Sequence, residues 1–184
     1  LALLFIPMIC LGIGMLIFSP QLLSKRLNNK ESERTQKHVV VFSGLMFLGG
    51  FILCGLDHRF AWSQVPFWVV ITASMLFLIG YVIYAEVLRE NAYLSRTVEV
   101  QDNQQLIDTG LYSIVRHPMY TATLLMFLSM PLILGSWWAL LLFACYPWLI
   151  IKRIQNEEQV LASGLKGYTD YKKQVRWRLI PWVW

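Results

Sequence analysis

The chain alternates long apolar runs with short polar stretches. Residues 1–18, 39–56 and 66–87 form the first three runs. About 20 apolar residues are needed to cross a bilayer as helix, so each reads as a spanning helix, the first slightly short. The third is expected to continue as helix through Glu86, Arg89 and Glu90. Two further runs, 119–134 and 136–151, meet at Gly135-Ser136. Each is about 16 residues, or roughly 24 Å as helix, against a hydrocarbon core of roughly 30 Å. They predict a tightly packed hairpin that locally thins the bilayer, with Pro131 near its turn and Pro147 kinking its second arm. Gly44, Gly49, Gly50 and Gly55 predict close helix approach along the second run.

The polar stretches give the topology. After Ser19-Pro20 a polar loop carries Lys25, Arg26, Lys30, Arg34 and Lys37, and residues 152–184 carry Lys152, Arg153, Lys166, Lys172, Lys173, Arg176 and Arg178. The 57–64 stretch has only Arg59. The excess of Lys and Arg marks the cytoplasmic side. About five spans then place the N-terminus outside and the C-terminus, with the 91–120 stretch, in the cytoplasm. Asp57-His58-Arg59 reads as a short polar turn facing water, followed by Trp62 and Trp68 at the membrane interface. Within 91–109, Val98-Glu99-Val100-Gln101 alternates in a weakly strand-like way. Trp177, Trp182 and Trp184, around Ile180-Pro181, are expected to return to the interface as an anchor.

Composition agrees with that pattern. Hydrophobic residues make up 57% of the 184 and charged residues 15%, where a soluble domain carries roughly 25% charged; the mean hydropathy is +0.51. The size suggests one integral domain, with residues 1–90 as three anchoring helices and 91–184 as the functional half. The net charge of +5 clusters beside apolar runs, as membrane-flanking charge does, and no basic stripe on a nucleic-acid module is present. Cys10, Cys54 and Cys145 lie inside apolar runs without metal-binding spacing and read as buried hydrophobes; no metal is expected. Leu1 opens directly in an apolar run without a charged leader, and is expected to be a truncated or processed end.

Candidate chemistry gathers where the polar stretches meet the hairpin. In Arg116-His117-Pro118 the proline disfavours helix at His117 and favours helix from Pro118 onward. His117 is therefore an N-cap, and the helix start behind it suits an anionic group such as a carboxylate or phosphate; a capped start at the headgroups explains the same residues equally well. If the second arm continues past Ile151, Arg153 and Glu157 share one helix face at i, i+4, either as a solvated salt bridge or as the other half of a site. Tyr168 and Tyr171, with Lys172 and Lys173, either fold over a ligand or lie on headgroups.

With these residues the chain resembles the isoprenylcysteine carboxyl methyltransferase family. The matching run is Gln101, Gln104-Gln105-Leu106-Ile107, Gly110-Leu111-Tyr112 and Arg116-His117-Pro118-Met119-Tyr120, then the hairpin, Arg153, Glu157-Glu158, Leu161, Tyr168, Tyr171-Lys172-Lys173 and Ile180-Pro181. It covers about 97–184 and is specific as a set rather than piece by piece. Leu111 departs from the proline, and Ala122 from the glycine, that many relatives carry. The resemblance implies an all-α integral membrane protein with a cytoplasmic S-adenosylmethionine pocket formed by the C-terminal half. It implies cofactor positions at Gln101, Gln104, Gln105, Leu106, Ile107, Tyr112, His117, Pro118, Met119, Tyr120 and Glu157, with Arg153 meeting the polar end of the acceptor.

Such a cofactor brings a carboxylate, an amine, a ribose and a sulfonium. The start at Pro118 suits the carboxylate, Glu157 the amine or ribose, and Tyr112 or Tyr120 the sulfonium. A carboxylate acceptor is ionised near pH 7 and needs no general base; an amine acceptor would call on Glu157, Glu158 or His117. The expected partners are a lipophilic or prenylated substrate and membrane lipids, with no nucleic acid; oligomeric state is not readable from the sequence. Two other functions remain open: a nicotinamide-dependent membrane reductase of related layout, and a non-enzymatic module binding lipid headgroups.

Overall fold

The computed structural model describes the backbone of residues 2–28, 34–94, 98, 100, 101 and 103–184; side chains at 25–28 and 34–37 fall outside that description. The basic side chains expected between the first two spans, Lys25, Arg26, Lys30, Arg34 and Lys37, therefore lie outside the described residues, as does Glu99. Every regular element among the described residues is helical. In order these are α1 (Ala2–Phe18), α2 (Pro20–Asn28), α3 (Arg34–Phe60), α4 (Phe67–Glu90), a 3-10 turn (Gly110–Ser113), α5 (Pro118–Ile133), α6 (Trp137–Phe143), α7 (Tyr146–Gly164) and α8 (Tyr168–Gln174). The described residues of the 98–101 stretch form no strand.

Among the described residues, three helical stretches are long and apolar enough to cross a membrane: His38–Phe60, Phe67–Glu90 and the α6–α7 arm, Trp137–Gly164. Ala2–Phe18 and Pro118–Ile133 are shorter and apolar. Leu45, Leu48, Ile52, Met75, Ile79 and Val82 stand exposed along α3 and α4, as side chains solvated by lipid do. The protein is an integral membrane protein.

Inside the bundle, α4 and α5 form the most extensive helix pair. A Cβ at Gly80 would stand 2.7 Å from Met126 Cγ and 3.0 Å from the Ala122 carbonyl oxygen, so glycine is what lets these axes approach. At Gly50 a Cβ would fall 2.2 Å from Phe143 of α6. Gly44 and Gly55, also expected to mark close packing, face open space. The central core joins Met46, Tyr120, Phe143, Tyr146, Ile150, Ile154 and Leu179. Phe47 lies edge-on to Phe127 at 4.5 Å and to Phe143 at 5.3 Å.

Some local expectations are corrected. The stretch after Ser19 is helix rather than loop, because Pro20 is a favoured first helical residue and Leu22 buries against Val87 and Leu88 of α4. Asp57-His58-Arg59 is the last turn of α3 rather than a turn in water. His58 and Arg59 are exposed, but Asp57 is fully buried. Its carboxylate accepts from the Ser63 amide at 2.7 Å, from Ser63 Oγ at 2.6 Å and from Ser136 Oγ. Ser136 also caps α6 by accepting from the Ala139 amide. A buried carboxylate is tolerated when its lone pairs are used in this way. The second hairpin arm is not short: it breaks at Ala144–Cys145, just ahead of Pro147, then runs as α7 to Gly164. Pro131 lies within α5, whose last turn it shares with the hairpin corner.

Candidate active site

The site is built where the start of α5 meets the polar end of α7. Pro118 opens α5 and His117 is its N-cap by position. The cap works through the backbone: the His117 carbonyl accepts from the amides of Tyr120 at 3.0 Å and Thr121 at 3.2 Å, while the imidazole makes no capping bond. The C-terminal segment lies alongside. The amides of Arg116 and His117 donate to the carbonyls of Trp177 and Arg178, both at 2.9 Å, and Thr121 Oγ1 donates to the Leu179 carbonyl at 2.8 Å.

On α7 the adjacent acids diverge, because successive helical residues point about 100° apart. Glu157 turns to α5 and accepts from the Tyr120 hydroxyl at 2.5 Å. That hydroxyl accepts in turn from Arg153 Nε at 2.8 Å, one helical turn before Glu157. The Glu157 side chain keeps 26% of its surface exposed, and His117 Nδ1 lies 3.9 Å from it. Glu158 turns the other way and is 3% exposed. It accepts from Arg116 Nε at 2.8 Å and from Arg178 Nη2 at 3.1 Å, with Lys172 Nζ at 3.5 Å and His117 Nε2 at 3.4 Å. Arg116 is buried too, and its Nη1 donates to the carbonyls of Val175 at 2.6 Å and Arg176 at 2.9 Å. Glu158 thus pins the C-terminal segment to the start of α5, and Glu157 remains the carboxylate with unused accepting capacity.

The resemblance-derived positions divide into groups. Arg153, Tyr120, Glu157 and His117 are joined by the contacts above, with Pro118 fully buried beneath them and Met119 packed between the central core and the α4 side. Tyr112 is buried; its hydroxyl accepts from Asn91 Nδ2 at 2.9 Å and its carbonyl accepts from the Tyr171 hydroxyl at 2.7 Å. Burial, and after it the charges of Glu157 and Glu90, hold the Tyr112 phenol well above its usual range, with Asn91 acting the other way. Gln101 and Gln104 shape their own loop: Gln101 Nε2 donates to the Tyr93 carbonyl at 2.6 Å, and Gln104 Oε1 accepts from the Gln101 amide at 2.9 Å. Gln105 is exposed. Leu106 packs on Leu165, Tyr168 and Tyr171, and Ile107 packs with Val87, Leu88 and Tyr112.

A cleft of about 440 Å³ opens between α3, α4, α5 and α7. Val39, Phe47, Phe127 and Ile150 give it apolar walls, and Tyr84, Thr123 and Tyr146 add hydroxyls. Arg153 and Tyr120 lie in the same lining, where Arg153 is the charged residue among those described.

Sequence reasoning placed Arg116 and Glu158 in the resembling run and counted Arg178 as membrane-flanking charge, but paired none of them and gave Asn91 no role. The Glu-Glu pair held a usable signal, since neighbouring helical positions point about 100° apart. Among the described residues no cluster could hold a metal ion.

The phospholipid methyltransferase family model matches residues 68–166, which span α4 through the acidic end of α7. A protein-S-isoprenylcysteine O-methyltransferase of Dictyostelium discoideum is 34% identical over 87 residues, covering 46% of this chain and 36% of that protein. A delta(14)-sterol reductase of Mus musculus is 29% identical over 93 residues, covering 48% of this chain and 22% of that one. Among solved structures, a eukaryotic intramembrane Ras methyltransferase, an isoprenylcysteine carboxyl methyltransferase, superposes with a TM-score of 0.63 at 20% identity, covering 77% of this chain and 52% of that chain. The chain therefore shares that membrane fold while spanning about half of the solved chain, and about a third or less of these two curated relatives.

Proposed function

The chain belongs to the phospholipid methyltransferase family, and from that premise we propose that it transfers a methyl group from S-adenosylmethionine to a lipophilic acceptor at the cytoplasmic edge of the membrane, the acceptor atom being a carboxylate oxygen of isoprenylcysteine type. The observation that carries this reading is the cleft between the helices, whose apolar walls meet Arg153 and Tyr120. A lipophilic chain fits those walls, and a guanidinium is suited to orienting a carboxylate.

The chain's polar groups fit the cofactor. Among the described residues two buried side-chain atoms have no hydrogen-bond partner, Asn156 Nδ2 and the Tyr168 hydroxyl. Both can donate, and Glu157 stands ready to accept. A ligand carrying a carboxylate, an amine and ribose hydroxyls needs such a mixed set. When bound, S-adenosylmethionine supplies an electrophilic methyl group on a sulfonium. Glu157 would hold its amine or ribose, and Tyr112 with the 101–107 loop would wall the pocket. Arg153 would orient the acceptor, held in place by the Tyr120 hydroxyl that separates it from Glu157. A carboxylate acceptor arrives ionised, so no residue has to take a proton. The protein's contribution is alignment and the exclusion of water.

The test is transfer of a labelled methyl group by the purified protein in lipid nanodiscs to a farnesylated cysteine or to phosphatidylethanolamine. The account expects label in the farnesylated cysteine as a base-labile ester. Label in the phospholipid amine alone would move the acceptor to nitrogen. The sterol-reductase match favours one other reading, a nicotinamide-dependent reductase, and saturable NADPH binding without S-adenosylmethionine binding would establish it instead.

A further inference from the structure

Among the described residues, the buried tyrosine hydroxyls in this half of the molecule are paired, with the exception of Tyr168. The Tyr112 hydroxyl meets Asn91, Tyr120 meets Glu157 and Arg153, and Tyr171 meets the Tyr112 carbonyl. Tyr168 is 3% exposed and its hydroxyl has no partner. A buried hydroxyl without a hydrogen bond costs free energy, so native interiors rarely keep one. The ring packs with Leu165 and Tyr171 against Leu106 and Val100 of the 98–107 loop and Leu161 of α7. The loop comes close at this point: a Cβ on Gly164 would stand 2.9 Å from Val100 Cγ2. The ring thus sits between the loop and the acidic end of α7. Burial first, then the charges of Glu158 and Glu157, holds the phenol well above its usual range against the opposing pull of Arg116. Both effects favour the protonated phenol, which is available as a donor.

We infer that the Tyr168 hydroxyl is a binding group of the proposed cofactor pocket, donating a hydrogen bond to an acceptor atom of a nucleoside-type ligand held between Val100, Leu106 and α7. This rests on the reading of that pocket as the S-adenosylmethionine site. In the ligand-free protein the hydroxyl contributes nothing to stability; in the complex it contributes a bond. Tyr171, its neighbour, behaves in the opposite way, because its hydroxyl is already spent on the Tyr112 carbonyl.

The experiment compares the full chain, Tyr168→Phe and Tyr171→Phe in nanodiscs, by thermal melting without ligand and by titration calorimetry with S-adenosylmethionine. Tyr168→Phe is expected to keep or raise the ligand-free Tm and to weaken binding about tenfold, the effect of one lost hydrogen bond. Tyr171→Phe is expected to lower the ligand-free Tm. If Tyr168→Phe binds as the parent does, or melts early without ligand as Tyr171→Phe does, the inference is overturned while the cofactor reading stands. If the parent chain itself fails to bind, both fall. A parallel titration with 5′-methylthioadenosine, which lacks the amino-acid part, adds a further arm. A tenfold loss there also supports contact with the nucleoside half, and a loss confined to S-adenosylmethionine supports contact with the amino-acid half.

Discussion

The bundle has a buried carboxylate cluster near each end, and the two are built on different plans. At the Asp57 end the carboxylate accepts from neutral donors, among them Ser63 and Ser136, which tie α3, its following loop and the hairpin corner together. Its accepting capacity is used inside the protein, and it sits fully buried. At the α7 end two adjacent acids divide the work. Glu158 is saturated by Arg116 and Arg178, whereas Glu157 keeps 26% of its side chain open and shares a single tyrosine hydroxyl with Arg153. The two unpartnered buried atoms, on Asn156 and Tyr168, belong to this second end. A satisfied cluster holds a fold; a cluster with unmet groups is suited to a ligand.

The comparison can be broken most forcefully at Glu158. Glu158→Gln leaves Arg116 buried without its charge partner and should cost about 3–5 kcal/mol, seen as a large fall in Tm and in yield. Asp57→Ala orphans the donors from Ser63 and Ser136 and should cost about 3 kcal/mol, yet the folded fraction should bind S-adenosylmethionine as the parent does. Glu157→Gln should reverse that profile, with Tm changed by less than about 1 kcal/mol of stability but Kd for the cofactor raised about 100-fold. The smallest effect is expected from Tyr120→Phe. Freed from its hydroxyl, Arg153 should raise the acceptor KM about tenfold, with a lesser change in cofactor affinity, as separate steady-state and calorimetric measurements would report.

The apolar helices were legible because apolar length is a local property, and so was the α5 start, because proline constrains its own position and the one before it. The i, i+4 placement of Arg153 and Glu157 on one helix face was legible for the same reason. What escaped depends on pairing across the chain. Asp57 looked like a residue of a turn in water until Ser136, 79 positions away, was brought to it. Glu158 took its meaning from Arg116, 42 positions earlier. Tyr120, with Tyr112 one of two tyrosines expected at the sulfonium, bridges Arg153 and Glu157 through its hydroxyl, a contact that spacing along the chain does not show.

The central claim is that the end of the bundle with unmet polar groups binds the cofactor and the saturated end does not. Titration calorimetry of S-adenosylmethionine into the parent, Glu157→Gln and Asp57→Ala proteins in nanodiscs tests it most directly. The account predicts saturable binding to the parent, binding of similar strength to folded Asp57→Ala, and binding weakened about 100-fold in Glu157→Gln. Absence of saturable binding to the parent, or equal binding by all three proteins, would contradict it.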